Sequence, residues 1–92
     1  MSTYLVERYL PGRDRAWLEE ALSRIPRDDA DVSYLGSLYL PSDESCICRF
    51  HAPNAESVSR INELARVPFA RVVAVIELVA KRKGEQGCAS SD

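Results

Sequence analysis

The side chains best suited to chemistry in this sequence are two carboxylates, a guanidinium and an imidazole, carried by Glu7, Glu77, Arg49 and His51. Neighbouring carboxylates compete for a proton, a guanidinium binds carboxylates, and an imidazole changes charge near neutral pH. Brought together, the four groups would bind a small polar ligand. The alternative is a set of salt bridges in a dimer interface, in which Arg49 satisfies both glutamates. A catalytic role for His51 is less favoured, because a lone histidine at a strand end is more often a surface or capping residue.

The cysteines form a second candidate group. Cys46 and Cys48 are separated by one residue, so a strand would point both thiols to one face. This spacing is not that of a metal-binding loop, and the total of three cysteines is odd. We therefore predict reduced, structural thiols for the pair. Cys88, near the C-terminus among Gly and Ser residues, is predicted to be exposed.

Two predicted helices and four predicted strands would position these groups. Asp14 and Asn54 are the predicted helix N-caps, and each helix carries apolar residues at helical spacing until a proline, Pro26 or Pro68, ends the pattern. β-branched and aromatic residues between turn signals predict strands over residues 3–10, 32–40, 46–51 and 71–79.

The predicted order is βαββαβ, which favours an α+β, ferredoxin-like fold. Its four-stranded antiparallel sheet has the spatial order four, one, three, two, with both helices on one face. Side-chain alternation then sends Glu7, Glu77, Arg49 and His51 to the open face. Residues 71–79 are apolar on both faces of the last strand, so something must cover the open face. We expect a second copy of the chain, in a homodimer.

Length and composition limit the classes of function. Ninety-two residues predict one domain, assigned to residues 1–80, and a disordered tail over residues 81–92. A net charge of −2 provides no field for a phosphate backbone, so nucleic acid is not an expected partner. The sequence has neither a signal-peptide pattern nor an apolar run of membrane-spanning length. We expect a cytoplasmic protein that does not bind membranes.

Short motifs between residues 3 and 79 resemble a bacterial family of small ferredoxin-like domains of unknown function, some of whose members are described as nickel-binding. The motifs are Tyr4-Leu5-Val6-Glu7-Arg8, Pro11-Gly12, Ser37-Leu38-Tyr39, Cys48, His51-Ala52-Pro53-Asn54 and Val67-Pro68-Phe69.

The resemblance implies a binding function, but this chain departs from the nickel-binding pattern. Gly36 and Asn62 stand where such members commonly have histidines, and neither supplies the imidazole that nickel favours. Cys48 does fall on the cysteine typical of the family's third strand. We expect no cofactor and weak or absent nickel binding, with nickel held by Cys48 and His51 as the alternative.

The sequence thus predicts a small non-enzymatic module that binds a metal ion or a small polar ligand and acts as a homodimer. The alternative is a small enzyme of the dimeric α/β-barrel type, resembling a monooxygenase or cyclase. In that enzyme Arg49, His51 or Tyr39 would orient an aromatic or polyketide-like substrate. A third possibility is an interaction protein without a ligand.

Overall fold

One antiparallel sheet and two helices make up the part of the chain that the computed structural model describes, residues 1–80. The sheet order is β2-β3-β4-β1-β5. The predicted tail, residues 81–92, lies outside the described residues. In chain order the elements are β1 (Ser2–Tyr9), α1 (Arg15–Ser23), β2 (Asp28–Asp29), β3 (Val32–Leu40), β4 (Ser45–Ala52), α2 (Ala55–Leu64) and β5 (Arg71–Val75).

The predicted α+β class is confirmed, and the four long strands lie in the predicted order. The prediction of four strands is wrong, because the sheet has a fifth, β2, at its edge. Asp28 and Asp29 pair with Ser33 and Val32 across a two-residue turn, and the Asp28 carboxylate accepts a hydrogen bond from the Ser33 hydroxyl at 2.9 Å. The Asp28–Asp29 arm of this short hairpin lies outside the four predicted strands.

Both helices begin at the predicted caps. The Asp14 side chain accepts a hydrogen bond from the Trp17 backbone N–H at 2.9 Å, and Asn54 accepts one from the Ser57 N–H at 2.8 Å. Each bond satisfies one of the N–H groups that a helix start leaves free. Both helices pack on the same face of the sheet, where one buried core joins Leu18 and Ala21 of α1, Val58 and Ile61 of α2, and Tyr4, Val6, Cys46, Cys48 and Phe50 of the sheet.

The last strand is shorter than predicted. β5 ends at Val75, and Ile76, Leu78 and Val79 beyond it are 86%, 88% and 88% exposed. The register explains the difference. Val75 pairs with Thr3 near the start of β1, so β1 offers almost no further backbone to which a longer β5 could bond. The apolar run therefore continues outside the sheet.

A β-bulge in β3 changes which face its later residues occupy. Tyr34 pairs with Phe50 and Gly36 with Arg49, so Leu35 is the extra residue. Gly36 has φ of +131°, a conformation that glycine adopts far more readily than other residues. As a result Tyr34 and Ser37, three residues apart, lie on the same, helix-covered side of the sheet.

No helix within residues 1–80 has both the length and the apolar character needed to span a membrane.

Candidate functional site

The open face holds the predicted charged residues, but in two separate ion pairs. The Arg49 guanidinium donates to the Glu77 carboxylate at 2.6 Å, and Arg71 donates to Glu7 at 2.8 Å. Arg49 lies opposite Leu5 on β1, while Glu7 lies opposite Ile47 and Arg71. The predicted bridging of both glutamates by Arg49 is therefore not present. All four charged side chains remain at least partly exposed, so each pair adds little to stability.

The remaining predicted site residues, His51 and Tyr39, take no part in these two ion pairs. His51 is exposed near the end of β4, between Thr3 and Ser33. Tyr39 pairs with Cys46, so it occupies the helix-covered side of the sheet and not the open face. The bulge at Leu35 causes this placement, since it reverses the alternation that holds before it.

A second group of polar side chains is buried on the helix side and is centred on Arg8. Arg8 is only 1% exposed, and its guanidinium donates to four acceptors. These are the carbonyl oxygens of Val67 at 3.3 Å and Pro68 at 3.1 Å, the Asn62 side-chain oxygen at 2.5 Å and the Cys48 sulfur at 3.4 Å. Asn62, itself 0% exposed, also donates to the Val58 carbonyl at 2.8 Å, which fixes its amide orientation.

The buried guanidinium of Arg8 has no carboxylate partner within residues 1–80. Its Nε is also buried without a hydrogen-bond partner in this part of the chain. A buried cation is stable only when charge or hydrogen bonds compensate it. Of its four acceptors, the Cys48 sulfur alone can carry a full negative charge. Arg8 therefore favours the thiolate form of Cys48.

The other neighbours of Cys48 favour the same ionised form. The Cys46 sulfur lies 3.8 Å away, and the Ser37 hydroxyl donates to the Cys48 sulfur at 2.8 Å. The hydrogen bond from Cys46 lowers the pKa of the Cys48 thiol most, and Arg8 and Ser37 lower it further, to about 6, although burial opposes them. The pKa of Cys46 is raised, because its hydrogen bond to Cys48 and its burial both favour the protonated form.

Tyr34 completes the cluster on the β3 side. Its hydroxyl is hydrogen-bonded to the Ser37 hydroxyl, and its ring stacks on Phe50 with centroids 5.0 Å apart. Burial raises the pKa of Tyr34 to about 12, so it stays neutral under physiological conditions. We call Arg8, Tyr34, Ser37, Cys46, Cys48 and Asn62 the thiolate cluster.

Sequence reasoning missed Arg8 and Asn62 as members of this cluster. Arg8 continues the alternation of buried residues that includes Tyr4 and Val6 in β1, and this alternation can be read from the sequence. Asn62 lies four residues after Val58, on the buried stripe of α2. Periodicity therefore marks both positions as buried. Because buried polar side chains are nearly always hydrogen-bonded, each of the two predicts a hydrogen-bond partner within the core.

The arrangement can supply a nucleophilic thiolate, held by donors on one side and a second thiol on the other. No group of three or more His, Cys, Asp or Glu side chains within residues 1–80 could hold a metal ion.

Comparisons with known proteins agree with the predicted resemblance. The family described as "Nickel responsive protein SCO4226-like" matches residues 4–75. The crystal structure of SCO4226 from Streptomyces coelicolor A3(2) resembles this fold with a TM-score of 0.74 at 18% sequence identity. The similarity covers 85% of this chain and 100% of that one. A search of curated proteins gives no match. Because the family match extends over most of the sequence, the chain belongs to the SCO4226-like family of nickel responsive proteins.

Proposed function

We propose that the chain is a small, non-enzymatic, ferredoxin-like binding module that acts as a homodimer through its open sheet face. The observation that carries the proposal is an apolar stripe on that face, which no element within residues 1–80 covers. The stripe consists of Leu5, Leu38, Ile47, Val73 and Val75, and Leu38 is 68% exposed. Apolar patches of this kind on small domains commonly mark interfaces.

Charge on the open face favours a second copy as the partner. Two guanidinium groups and two carboxylates lie beside the apolar stripe, in the pairs Arg49–Glu77 and Arg71–Glu7. A two-fold axis brings the same patch of both protomers together, so a balanced patch meets itself without net repulsion. The exposed apolar segment after β5 would add further area to such an interface.

The proposed ligand site is the edge of this face around Arg49. A shallow groove beside the guanidinium is lined by Gly36, Leu38 and Ile47 among other residues. A small carboxylate or phosphate could replace Glu77 as the partner of Arg49, because that ion pair is exposed and exchangeable. Glu7 and His51 would lie at the periphery. The buried free thiols of Cys46 and Cys48 support a cytoplasmic location, where thiols remain reduced.

Nickel does not fit the described residues, although the family name refers to it. His51 is the single histidine of the chain, and it lies on the open face, whereas Cys46 and Cys48 lie on the other. Asn62 already accepts a hydrogen bond from Arg8, and Gly36 has no side chain to coordinate with. We infer that nickel binds this chain weakly or not at all. Calorimetric titration of tag-free protein tests this, and tight stoichiometric binding would contradict it.

Sedimentation equilibrium tests the dimer. We expect twice the protomer mass of 10.3 kDa at high micromolar concentration. Leu38→Glu should give monomer, because it buries a charge in the interface. Leu64→Glu is the matched control, since Leu64 is 71% exposed on α2, away from the open face. A monomeric parent protein, or equal dissociation by both substitutions, would refute the interface.

Thermal shift measurements test the ligand site. Small carboxylates or phosphates should raise the melting temperature of the parent protein and should not raise that of Arg49→Met. Arg71→Met is the control, because Arg71 is an exposed guanidinium on the same face but outside the groove. A ligand-induced shift that survives Arg49→Met would remove Arg49 from the proposed site.

A further inference from the structure

We propose that Cys46 and Cys48 are a redox-active dithiol, in which the Cys48 sulfur attacks small hydroperoxides and Cys46 then closes a disulfide. The geometry that carries this inference is the thiolate cluster. Both sulfurs lie on one face of β4, 3.8 Å apart, and donors from Arg8 and Ser37 converge on Cys48 alone. The two sulfurs are therefore not equivalent. The surroundings of Cys48 stabilise its thiolate, and Cys46 donates a hydrogen bond to it.

The attacking role of Cys48 follows from its surroundings. Arg8 is the charged group that faces it from β1, Cys46 is the titratable group on its own strand, and Tyr34 faces it from β3 through Ser37. The α2 helix contributes the neutral Asn62 through its contact with Arg8. A thiolate is far more nucleophilic than a thiol, so these contacts select Cys48 for reaction.

A small neutral oxidant can reach this sulfur from the β3 side. Ser37 is exposed, and its hydroxyl lies 2.8 Å from the Cys48 sulfur. Cys48 itself is fully buried, and the Ser37 hydroxyl lies between its sulfur and solvent. Hydrogen peroxide is close to water in size, so a rotation of the Ser37 side chain would admit it, whereas larger alkylating reagents would be excluded.

The chemistry balances with a hydroperoxide as the only co-reactant. The Cys48 thiolate attacks one peroxide oxygen, the O–O bond breaks, and hydroxide or alkoxide leaves with a proton taken from solvent. The resulting sulfenic acid, Cys48–SOH, is attacked by the Cys46 sulfur, which gives up its proton. The S–O bond breaks, water leaves, and the disulfide forms. Two sulfurs are oxidised by one electron each, and the peroxide is reduced by two electrons.

Oxidation has a structural consequence for Arg8. The disulfide removes the negative charge that faces the buried guanidinium, so the oxidised protein should be less stable than the reduced one. Residues two apart in a strand have Cα atoms about 6.8 Å apart, which is the upper end of the range that disulfides span. The bond should therefore be strained and readily reduced by small thiols.

The experiment uses the full chain with Cys88→Ser, so that Cys46 and Cys48 are its only thiols. Folded protein is treated with hydrogen peroxide and analysed by mass spectrometry. We expect loss of two hydrogens, reversal by dithiothreitol and a lower melting temperature of the oxidised form. In Cys46→Ser the reaction should stop at a sulfenic acid on Cys48, which mass spectrometry shows as a gain of one oxygen. In Cys48→Ser no sulfenic acid should form.

Two further measurements distinguish reaction of a thiolate that its neighbours stabilise from non-specific oxidation of a cysteine. The rate should be half-maximal near pH 6, because the pKa of Cys48 is lowered to about 6. Ser37→Ala removes one hydrogen-bond donor to the Cys48 sulfur and should therefore move the half-maximal rate to a higher pH. Oxidation that begins at Cys46, a half-maximal rate above pH 8, or folded protein that hydrogen peroxide leaves unchanged would each overturn the proposal.

Discussion

Replacing the buried Arg8 by Met should destabilise the protein far more than replacing an exposed arginine does. Met retains much of the side-chain length but removes the donors to the carbonyls of Val67 and Pro68, to Asn62 and to the Cys48 sulfur. Breaking a buried charged pair typically costs about 3–5 kcal/mol, because the remaining group is left uncompensated. Since Cys48 can take up a proton instead, we expect the lower end, about 3 kcal/mol.

This loss is a large fraction of the free energy of unfolding of such a domain. A chain of this length is typically stable by about 5–14 kcal/mol. A loss of about 3 kcal/mol lowers the melting temperature of a domain of this size by roughly 12 °C or more. Differential scanning calorimetry measures this directly. Ultraviolet absorbance of the thiolate, recorded at neutral pH on the folded variant with Cys88→Ser, should fall because Cys48 regains its proton.

Arg24→Met is the matched control. Arg24 also donates to carbonyls of the segment after α2, those of Ala65 at 2.9 Å and Arg66 at 3.0 Å, but its side chain is 38% exposed. Water replaces the lost donors there, so we expect a loss of at most about 1 kcal/mol. If both variants melt at the same temperature, or if folded Arg8→Met keeps the full thiolate absorbance, the ion pair between Arg8 and Cys48 is not what stabilises this region.

Three further predictions concern pH, the bulge and the helix caps. Because the pKa of Cys48 is lowered to about 6 in the folded protein, its contribution to stability is complete above its ordinary pKa of 9.0 and is lost as the pH falls through about 6. Urea titrations should show this loss in the parent and not in Cys48→Ser. Gly36→Ala should destabilise by about 1 kcal/mol or more, since φ is +131° there, and should move the half-maximal peroxide rate to a higher pH by displacing Ser37. Asp14→Ala and Asn54→Ala should each lose about 1 kcal/mol in calorimetry, because each removes a helix cap.

Local physical rules predicted the framework of this protein well. The side chains of Asp14 and Asn54 cap their helices as expected, because capping depends on residues within one turn. Strand alternation placed Glu7 and Arg49 on the same face, and the register puts them there. The alternation also correctly buries Cys46 and Cys48, since their strand packs against both helices on that side.

Other features could not be predicted from the sequence because they depend on distant parts of the chain. The bulge at Leu35 is an irregularity of strand pairing, and it alone turns Ser37 and Tyr39 to the helix side. The end of β5 depends on how far its partner β1 extends. Burial of Arg8 requires acceptors 54 or more residues away in α2 and the segment after it, in addition to Cys48.

The position of Arg8 supports the proposal that nickel binds this chain weakly or not at all. Its guanidinium already uses the Asn62 oxygen and a lone pair of the Cys48 sulfur. Two unit charges about 4 Å apart near a protein surface interact by about 4 kcal/mol, and a divalent cation would meet twice that repulsion. A thiolate reduces this repulsion, but binding a cation would then leave Arg8 without its counter-ion. The fixed charge therefore favours reactions that end at sulfur, and it disfavours reactions that place a second cation beside it.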